Sequence, residues 1–188
     1  MATRLEQTSM ILSLEQRIKQ YWDNQPCNIR HSGNEIGSLE FFKEVSARRF
    51  QVEPHIPEFA GFHLWQGQQV LEIGPGIGSD AAEFARHGAD YYGIDYSKES
   101  VDLARTRFKV EGLTGQFYCG DASDEAMYKD LPKFDLVYSY GVIHHFPAID
   151  SIINNVYDCL KPGGEFRFMV YAKDSWKQAM INKGLDQY

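Results

Sequence analysis

"VLEIGPGIGSD", residues 70–80, sets three glycines and a proline directly after an apolar run and puts a carboxylate, Glu72, inside that run. Glycine weakens strands and helices alike, so its use at every second position needs a local reason. A strand that ends in glycines and runs straight into a helix exposes backbone N–H groups at the helix N-terminus. It also lets a ligand approach where any Cβ would collide. A dinucleotide fingerprint needs Gly-x-Gly-x-x-Gly, with its third glycine where helix packs on strand. Here the spacing is Gly74-x-Gly76-x-Gly78, and the third position after Gly76 is Ser79. The stretch predicts strand, ligand loop and helix of an α/β fold, with a spacing that departs from the nicotinamide pattern.

Outward from this loop, short apolar runs alternate with amphipathic segments, as a parallel sheet with crossover helices requires. Strands are predicted at residues 69–73, 90–94, 116–119, 134–139 and 165–171, each rich in Val, Ile, Phe or Tyr. Between them fall helices at 80–87, at 98–110 (opened by Ser97 and closed near Gly112) and a short piece at 124–129. Over 148–160, Ile149, Ile152, Ile153, Val156, Tyr157 and Leu160 form a helical stripe wide enough to cover a sheet face, and Lys161-Pro162-Gly163-Gly164 ends it as a turn. The first 65 residues show no strand alternation: a helix over 5–22, a polar loop over 23–37, a helix over 38–50 and a short helix entered at Pro57. The fold class is α/β, a Rossmann-like doubly wound, mainly parallel sheet over residues 67–188 carrying an N-terminal helical cap over 1–66, the two forming one structural unit.

At 188 residues and 43% apolar content the chain suffices for one domain with a single filled core. Its net charge of −7, with no basic run longer than Arg48-Arg49, argues against nucleic acid or an anionic membrane surface as partner. Cys27, Cys119 and Cys159 are odd in number and lack metal spacing, which reads as reduced thiols in a cytoplasmic protein. The longest apolar run near the N-terminus, Met10-Ile11-Leu12, is too short for a signal h-region or a membrane span.

Two further acids give the glycine loop a partner set. Asp95 closes the second strand in YYGIDYS (91–97), where a carboxylate can accept both hydroxyls of a ribose, and as a strand-end group it is expected to have little part in the core. Asp121 follows the third strand in YCGDA (118–122), near where an adenine edge would lie. In a parallel α/β sheet these positions share the carboxyl ends of neighbouring strands, the edge at which such folds bind ligands.

With VLEIGPGIGSD, YYGIDYS, FYCGDA, FDLVYSYGVIHHF (134–146) and LKPGGEF (160–166), the chain resembles class I S-adenosylmethionine-dependent methyltransferases over about residues 70–171. The GVIHHF form is similar to members acting on small molecules and lacks the Asn/Asp-Pro-Pro-aromatic signature of DNA- and amide-directed ones. The resemblance implies S-adenosyl-L-methionine as cofactor and S-adenosyl-L-homocysteine as product. It assigns the methionine moiety to Glu72 and the loop of Gly74, Pro75, Gly76 and Gly78, the ribose to Asp95 and the adenine to Asp121 with Ala122; Tyr96 and Tyr140 complete the cofactor-binding set. The family's strands six and seven have no counterpart: after Tyr171 only a helix over 174–183 is predicted, which points to a truncated product or an edge completed by a partner, such as a homodimer.

Methyl transfer needs alignment of nucleophile, methyl carbon and sulfur, and a base only where the acceptor must lose a proton. His144 and His145, directly after the fourth strand, are the candidate bases or else line the cofactor; no carboxylate sits at ligand spacing, so no metal is expected. The acceptor site should be roofed by the cap, through Tyr21, Trp22, the loop 28–37, Glu53 and His55. A nicotinamide oxidoreductase and a cofactor-binding protein without turnover remain as alternatives.

Overall fold

The computed structural model describes residues 14–172 and residue 174. All but the first residue of the helix predicted over 174–183, the first part of the helix predicted over 5–22 and any sixth or seventh strand lie outside them. The cap supplies α1 (Leu14–Asn24), α2 (Leu39–Val52) and α3 (Ile56–Ala60), then a 3-10 turn (Phe62–Trp65) leads into β1 (Gln69–Ile73). α4 (Ser79–Arg86), β2 (Asp90–Asp95), α5 (Lys98–Glu111), β3 (Gln116–Cys119), β4 (Phe134–Tyr140), α6 (Ile149–Cys159) and β5 (Leu160–Met169) follow. The sheet order is β3-β2-β1-β4-β5, every pair parallel. The strand order reverses between β1 and β4, which makes their carboxyl ends the switch-point crevice.

Local chemistry accounts for most element ends. Ser38 caps α2 by accepting from the Phe41 amide and Ser97 caps α5 by accepting from the Ser100 amide, while Gly112 closes α5 in the left-handed region at φ 67°. Pro57 sits in the first turn of α3, where its missing N–H costs nothing. The segment expected as a short helix at 124–129 is a 3-10 turn, Glu125–Tyr128, opened by the Asp124 side chain.

Two expectations need correction. β5 starts at Leu160 rather than 165: Leu160 pairs with Phe134 and Glu165 with Leu136, so Lys161–Gly164 loop out as an irregularity within the ladder. Pro162 has no amide to donate and Gly163 takes φ 81°, which lets the strand make the excursion and rejoin. The α6 stripe is also narrower than its sequence suggests. Ile152, Val156 and Cys159 are buried, but Ile149, Ile153 and Tyr157 stand 36, 39 and 80% exposed, because only one line of the helix meets the sheet.

Each face of the sheet has its own core. One packs Phe84 of α4 and Val101, Ala104 and Phe108 of α5 with Ile56 and Phe62 of the cap against Tyr91, Leu136 and Tyr138. The other packs Ile152 and Val156 of α6 against Ile73, Ile94 and Val137. A third cluster sets Phe41, Phe42 and Val45 of α2 on Ile77, inside the glycine loop, so the cap directly supports that loop. Arg107 of α5, fully buried, bonds Ser79 Oγ (3.0 Å), the Phe42 carbonyl (3.2 Å), Ser46 and Glu111, and so ties α2, α4 and α5 together.

Candidate functional site

The glycine loop turns at the carboxyl end of β1. Gly74, Gly76 and Gly78 take φ 78°, 55° and 80°, a region L side chains rarely adopt, and this is the demand the sequence met with glycine. At Gly74 a Cβ would also fall 2.5 Å from the Val142 methyls, in the turn after β4. At Gly76 the nearest neighbour of such a Cβ is Cys27, at 3.9 Å, so the loop keeps open room there under the cap.

The glycine amides themselves are engaged. Gly74 N–H donates to Ile94 O (2.8 Å), Gly78 N–H to Pro75 O (2.9 Å) and Gly76 N–H to Asp95 Oδ2 (2.9 Å). What these three glycines offer a ligand is close approach to a braced backbone, beside the N-terminus of α4, which no side chain caps.

Asp95 has more structural work than a strand-end acid was expected to have. Its second oxygen accepts from Ser97 N–H (2.9 Å), so one carboxylate holds both the glycine loop and the start of α5. Burial nevertheless pushes its pKa up to about 6, against the opposing pull of these two amides. Further donors, such as hydroxyls, would favour the ionised form. Asp121 lies at the end of the neighbouring strand, where one oxygen accepts from Ser123 N–H (2.8 Å) and Ser123 Oγ–H (2.7 Å). Ala122 is buried and its carbonyl accepts from Tyr128 (2.9 Å) and Asn155 (3.1 Å). Tyr96 is half-buried and stands edge-on to Phe146 at 5.9 Å.

Glu72 is placed beneath the loop rather than at the crevice mouth. It is 3% exposed and accepts from the Tyr91 hydroxyl at 2.7 Å. Burial, reinforced by the charge of Asp80, raises its pKa to about 8, so near neutrality it is mostly the neutral acid.

His144 and His145 form a 3-10 turn (Ile143–His145) after β4. Their rings lie 4.0 Å apart, His144 lies 4.4 Å from Tyr171, and Trp22 of α1 stands edge-on to His145 at 5.7 Å. The cap thus reaches across the crevice to the histidine turn, with Tyr21 packed on Trp22 at 5.0 Å but 52% exposed.

On the other flank of β4's end the structure assembles a polar network that sequence reasoning largely missed. Arg49 of α2 grips Asp80 of α4 through two bonds of 2.7 Å and reaches Glu53 at 3.2 Å, while Tyr138 donates to Asp80 (3.1 Å). Burial disfavours the Arg49 charge, yet Asp80 more than offsets it and the guanidinium pKa is raised. Tyr140, assigned from sequence to the cofactor, turns its hydroxyl to the cap, 2.6 Å from His55 Nε2 and 3.3 Å from Glu53 Oε1. The one local signal was Asp80 in the first turn after the glycines, which reads as a helix-end charge; its partner lies 31 positions away.

Two surface hollows, of about 640 and 300 Å³, lie at the opposite, amino ends of the strands, beside Asp90 and Gln116 and beside Asp135 and Glu165. Neither gathers the glycine loop or the strand-end acids, so chemistry rather than hollow size selects the carboxyl-end crevice.

Comparison with known proteins bears on what this crevice is. The family model described as "Methyltransferase domain" matches residues 71–168. The ubiquinone biosynthesis O-methyltransferase of Coxiella burnetii is 31% identical over 103 residues, 55% of this chain and 43% of that protein. The fatty-acid O-methyltransferase of Mycolicibacterium smegmatis is 32% identical over 130 residues, 64% of this chain and 44% of that protein. The chain therefore spans less than half the length of these two relatives. Among solved structures, the magnesium protoporphyrin IX methyltransferase of Synechocystis PCC 6803 with bound SAM superposes with a TM-score of 0.59 at 18% identity, covering 81% of this chain and 74% of that one. This likeness extends the shared Rossmann-like fold beyond the matched segment.

Proposed function

The chain belongs to the methyltransferase domain family, and on that premise we propose that it transfers a methyl group from S-adenosyl-L-methionine to a small-molecule acceptor. The observation that carries the reading is the pairing of Gly76 with Asp95 across the carboxyl ends of β1 and β2: a braced glycine loop beside a half-buried carboxylate that gains from further donors. The donor set fits the cofactor. Open room over Gly76 suits its methionine end, Asp95 its ribose hydroxyls, and Asp121 with Ala122 its adenine. When bound, the cofactor supplies an electrophilic methyl group on sulfonium sulfur. The chain's own part is to hold donor and acceptor in line and exclude water beneath α1 and the cap loop, and such positioning can supply on the order of 7–11 kcal/mol. Trp22, His144 and His145 stand together on one flank of the crevice, and the two histidines either take the acceptor's proton or line the cofactor.

The O-methyltransferase relatives support an oxygen acid as acceptor. The same reading takes the cap over residues 1–66 and the sheet unit over 67–188 as one working body in the cytoplasm, with Cys27 and Cys119 exposed as thiols. It also takes β5, which has a single neighbour among the described residues, as the edge for a homodimer contact. The test is ligand-dependent stability. At free S-adenosyl-L-homocysteine 100 times its dissociation constant, unfolding should cost about 2.7 kcal/mol more, and NADH should have no effect. Stabilisation by NADH alone would overturn the reading.

A further inference from the structure

The network around Tyr140 has a direction. Tyr140 closes β4 at the switch-point crevice, with its hydroxyl between an imidazole and a carboxylate. Glu53 is ion-paired with Arg49, itself clamped to Asp80, so it meets Tyr140 as a hydrogen-bond acceptor. Burial and the Glu53 charge both raise the phenol pKa, which keeps its proton on oxygen. The arrangement that satisfies every lone pair has Tyr140 O–H donating to Glu53 and His55 Nε2–H donating to Tyr140 O. Were the phenol to donate to His55 instead, its oxygen would face the Glu53 carboxylate with no hydrogen between them. The chain Glu53–Tyr140–His55 thus fixes the imidazole as the Nε2–H tautomer and leaves the lone pair on Nδ1. His55 is exposed, so that nitrogen is accessible from solvent. Carboxylate, orienting donor and basic imidazole nitrogen in series is the logic by which a general base is built.

We propose that His55 is the general base for a hydroxyl-bearing acceptor, a phenol or catechol rather than a carboxylic acid, with Tyr140 and Glu53 as its positioning residues. This rests on the methyltransferase reading above and gives the base role to the cap instead of to the histidine turn. A carboxylic acid is already ionised near neutrality, whereas a phenol with a pKa near 10 needs its proton removed as it attacks. In the step, the acceptor's O–H bond breaks as its oxygen bonds the methyl carbon. The carbon–sulfur pair stays on sulfur and the proton ends on His55 Nδ1, so an imidazolium replaces the sulfonium as the positive charge. The charged and titratable groups facing this cluster are Arg49 and Glu53 of α2, Asp80 of α4, Tyr138 and Tyr140 of β4, and His31 of the cap turn, within electrostatic reach of Arg49 and Glu53.

The test has one arm without turnover and one with it. In nitrogen-15 spectra of the protein bound to S-adenosyl-L-homocysteine, His55 should show an Nε2-bound proton protected from water exchange, lost in Tyr140→Phe. With S-adenosyl-L-methionine and 3,4-dihydroxybenzoate as probe, His55→Gln should lower kcat by on the order of 10²-fold or more while the Kd for S-adenosyl-L-homocysteine stays within about twofold. Glu53→Gln should lower kcat while the KM for the acceptor stays unchanged, because the series that orients the imidazole loses its carboxylate end. His63→Gln, at an exposed position outside the network, should change nothing. An Nδ1–H tautomer, or full activity in His55→Gln with the loss appearing in His145→Gln, would overturn the proposal and leave the methyltransferase reading standing. Failure of the wild-type chain to bind S-adenosyl-L-homocysteine would overturn both.

Discussion

Glu72→Gln should make the protein more stable than wild type at neutral pH, an unusual direction for removing a buried, hydrogen-bonded carboxyl group. Glu72 is 3% exposed, accepts from Tyr91 and has its pKa raised from 4.5 to about 8, chiefly by burial and next by Asp80. Its folded-state pKa lies above its unfolded one, so the folded chain binds the extra proton and stability falls as pH rises from about 4.5 to about 8. Linkage puts the loss at about 3 kcal/mol by pH 7 and about 4–5 kcal/mol by pH 9. Glutamine has nearly the shape of the neutral acid and can still accept from Tyr91, but it has no ionisation to gain on unfolding. The two proteins should therefore have similar stability near pH 4.5 and diverge above it, with a gap of about 3 kcal/mol at pH 7, or a Tm higher by about 6–12 °C for a chain of this size. Asp95, also raised by burial, titrates in both proteins and enters the difference only through its charge on Glu72, a smaller cause of the Glu72 shift than burial or Asp80. Urea unfolding followed by tryptophan fluorescence at pH 4.5, 7 and 9 measures it. A variant less stable than wild type at pH 7, with the deficit constant toward pH 9, would show that Glu72 is ionised in the fold and refute the reasoning.

Asp95→Ala should weaken S-adenosyl-L-homocysteine binding by roughly 1.5–3 kcal/mol in calorimetry. Because its carboxylate also holds the amides of Gly76 and Ser97, it should cost on the order of 1–3 kcal/mol of stability as well; lost affinity at full stability would mean those two bonds carry nothing. Gly74→Ala combines a φ of 78° with a Cβ 2.5 Å from Val142, and should cost about 2–5 kcal/mol, from backbone strain plus overpacking. Adding Val142→Ala should recover the packing part only, and a complete rescue in thermal unfolding would rule out the backbone contribution. Arg107→Met removes the buried guanidinium that joins Phe42 and Ser46 of the cap to Ser79, and should cost on the order of 3–5 kcal/mol while exposing α2 to limited proteolysis. Unchanged cleavage within residues 39–52 would contradict its role as the tie.

What the sequence determined by itself is what the backbone demands locally. Glycines at 74, 76 and 78 announce a loop of positive φ, and all three take it. Ser97 and Gly112 mark the ends of α5 because a cap is satisfied within a turn of chain. Alternating apolar runs locate β1–β4 to within a residue or so, since burial on both faces of a parallel sheet writes directly into composition. The start of β5 was hidden, because a proline and two glycines read as the end of an element when the strand only detours around them. The α6 stripe was overread for the related reason that periodicity reports which residues share a side, not how much of that side meets a neighbour. Tertiary structure alone decided the polar side of the crevice. Arg49 finds Asp80 across 31 positions, His55 meets Tyr140 across 85, and Tyr140 meets Glu53 across 87. No single position in that network is unusual in type, and each acid, arginine or tyrosine has many partners it could have met. Their meeting follows from two packed cores that seat the cap on α4 and α5 and bring the end of β4 beneath it, a choice made by the summed burial of apolar surface rather than by any of the groups it brings together.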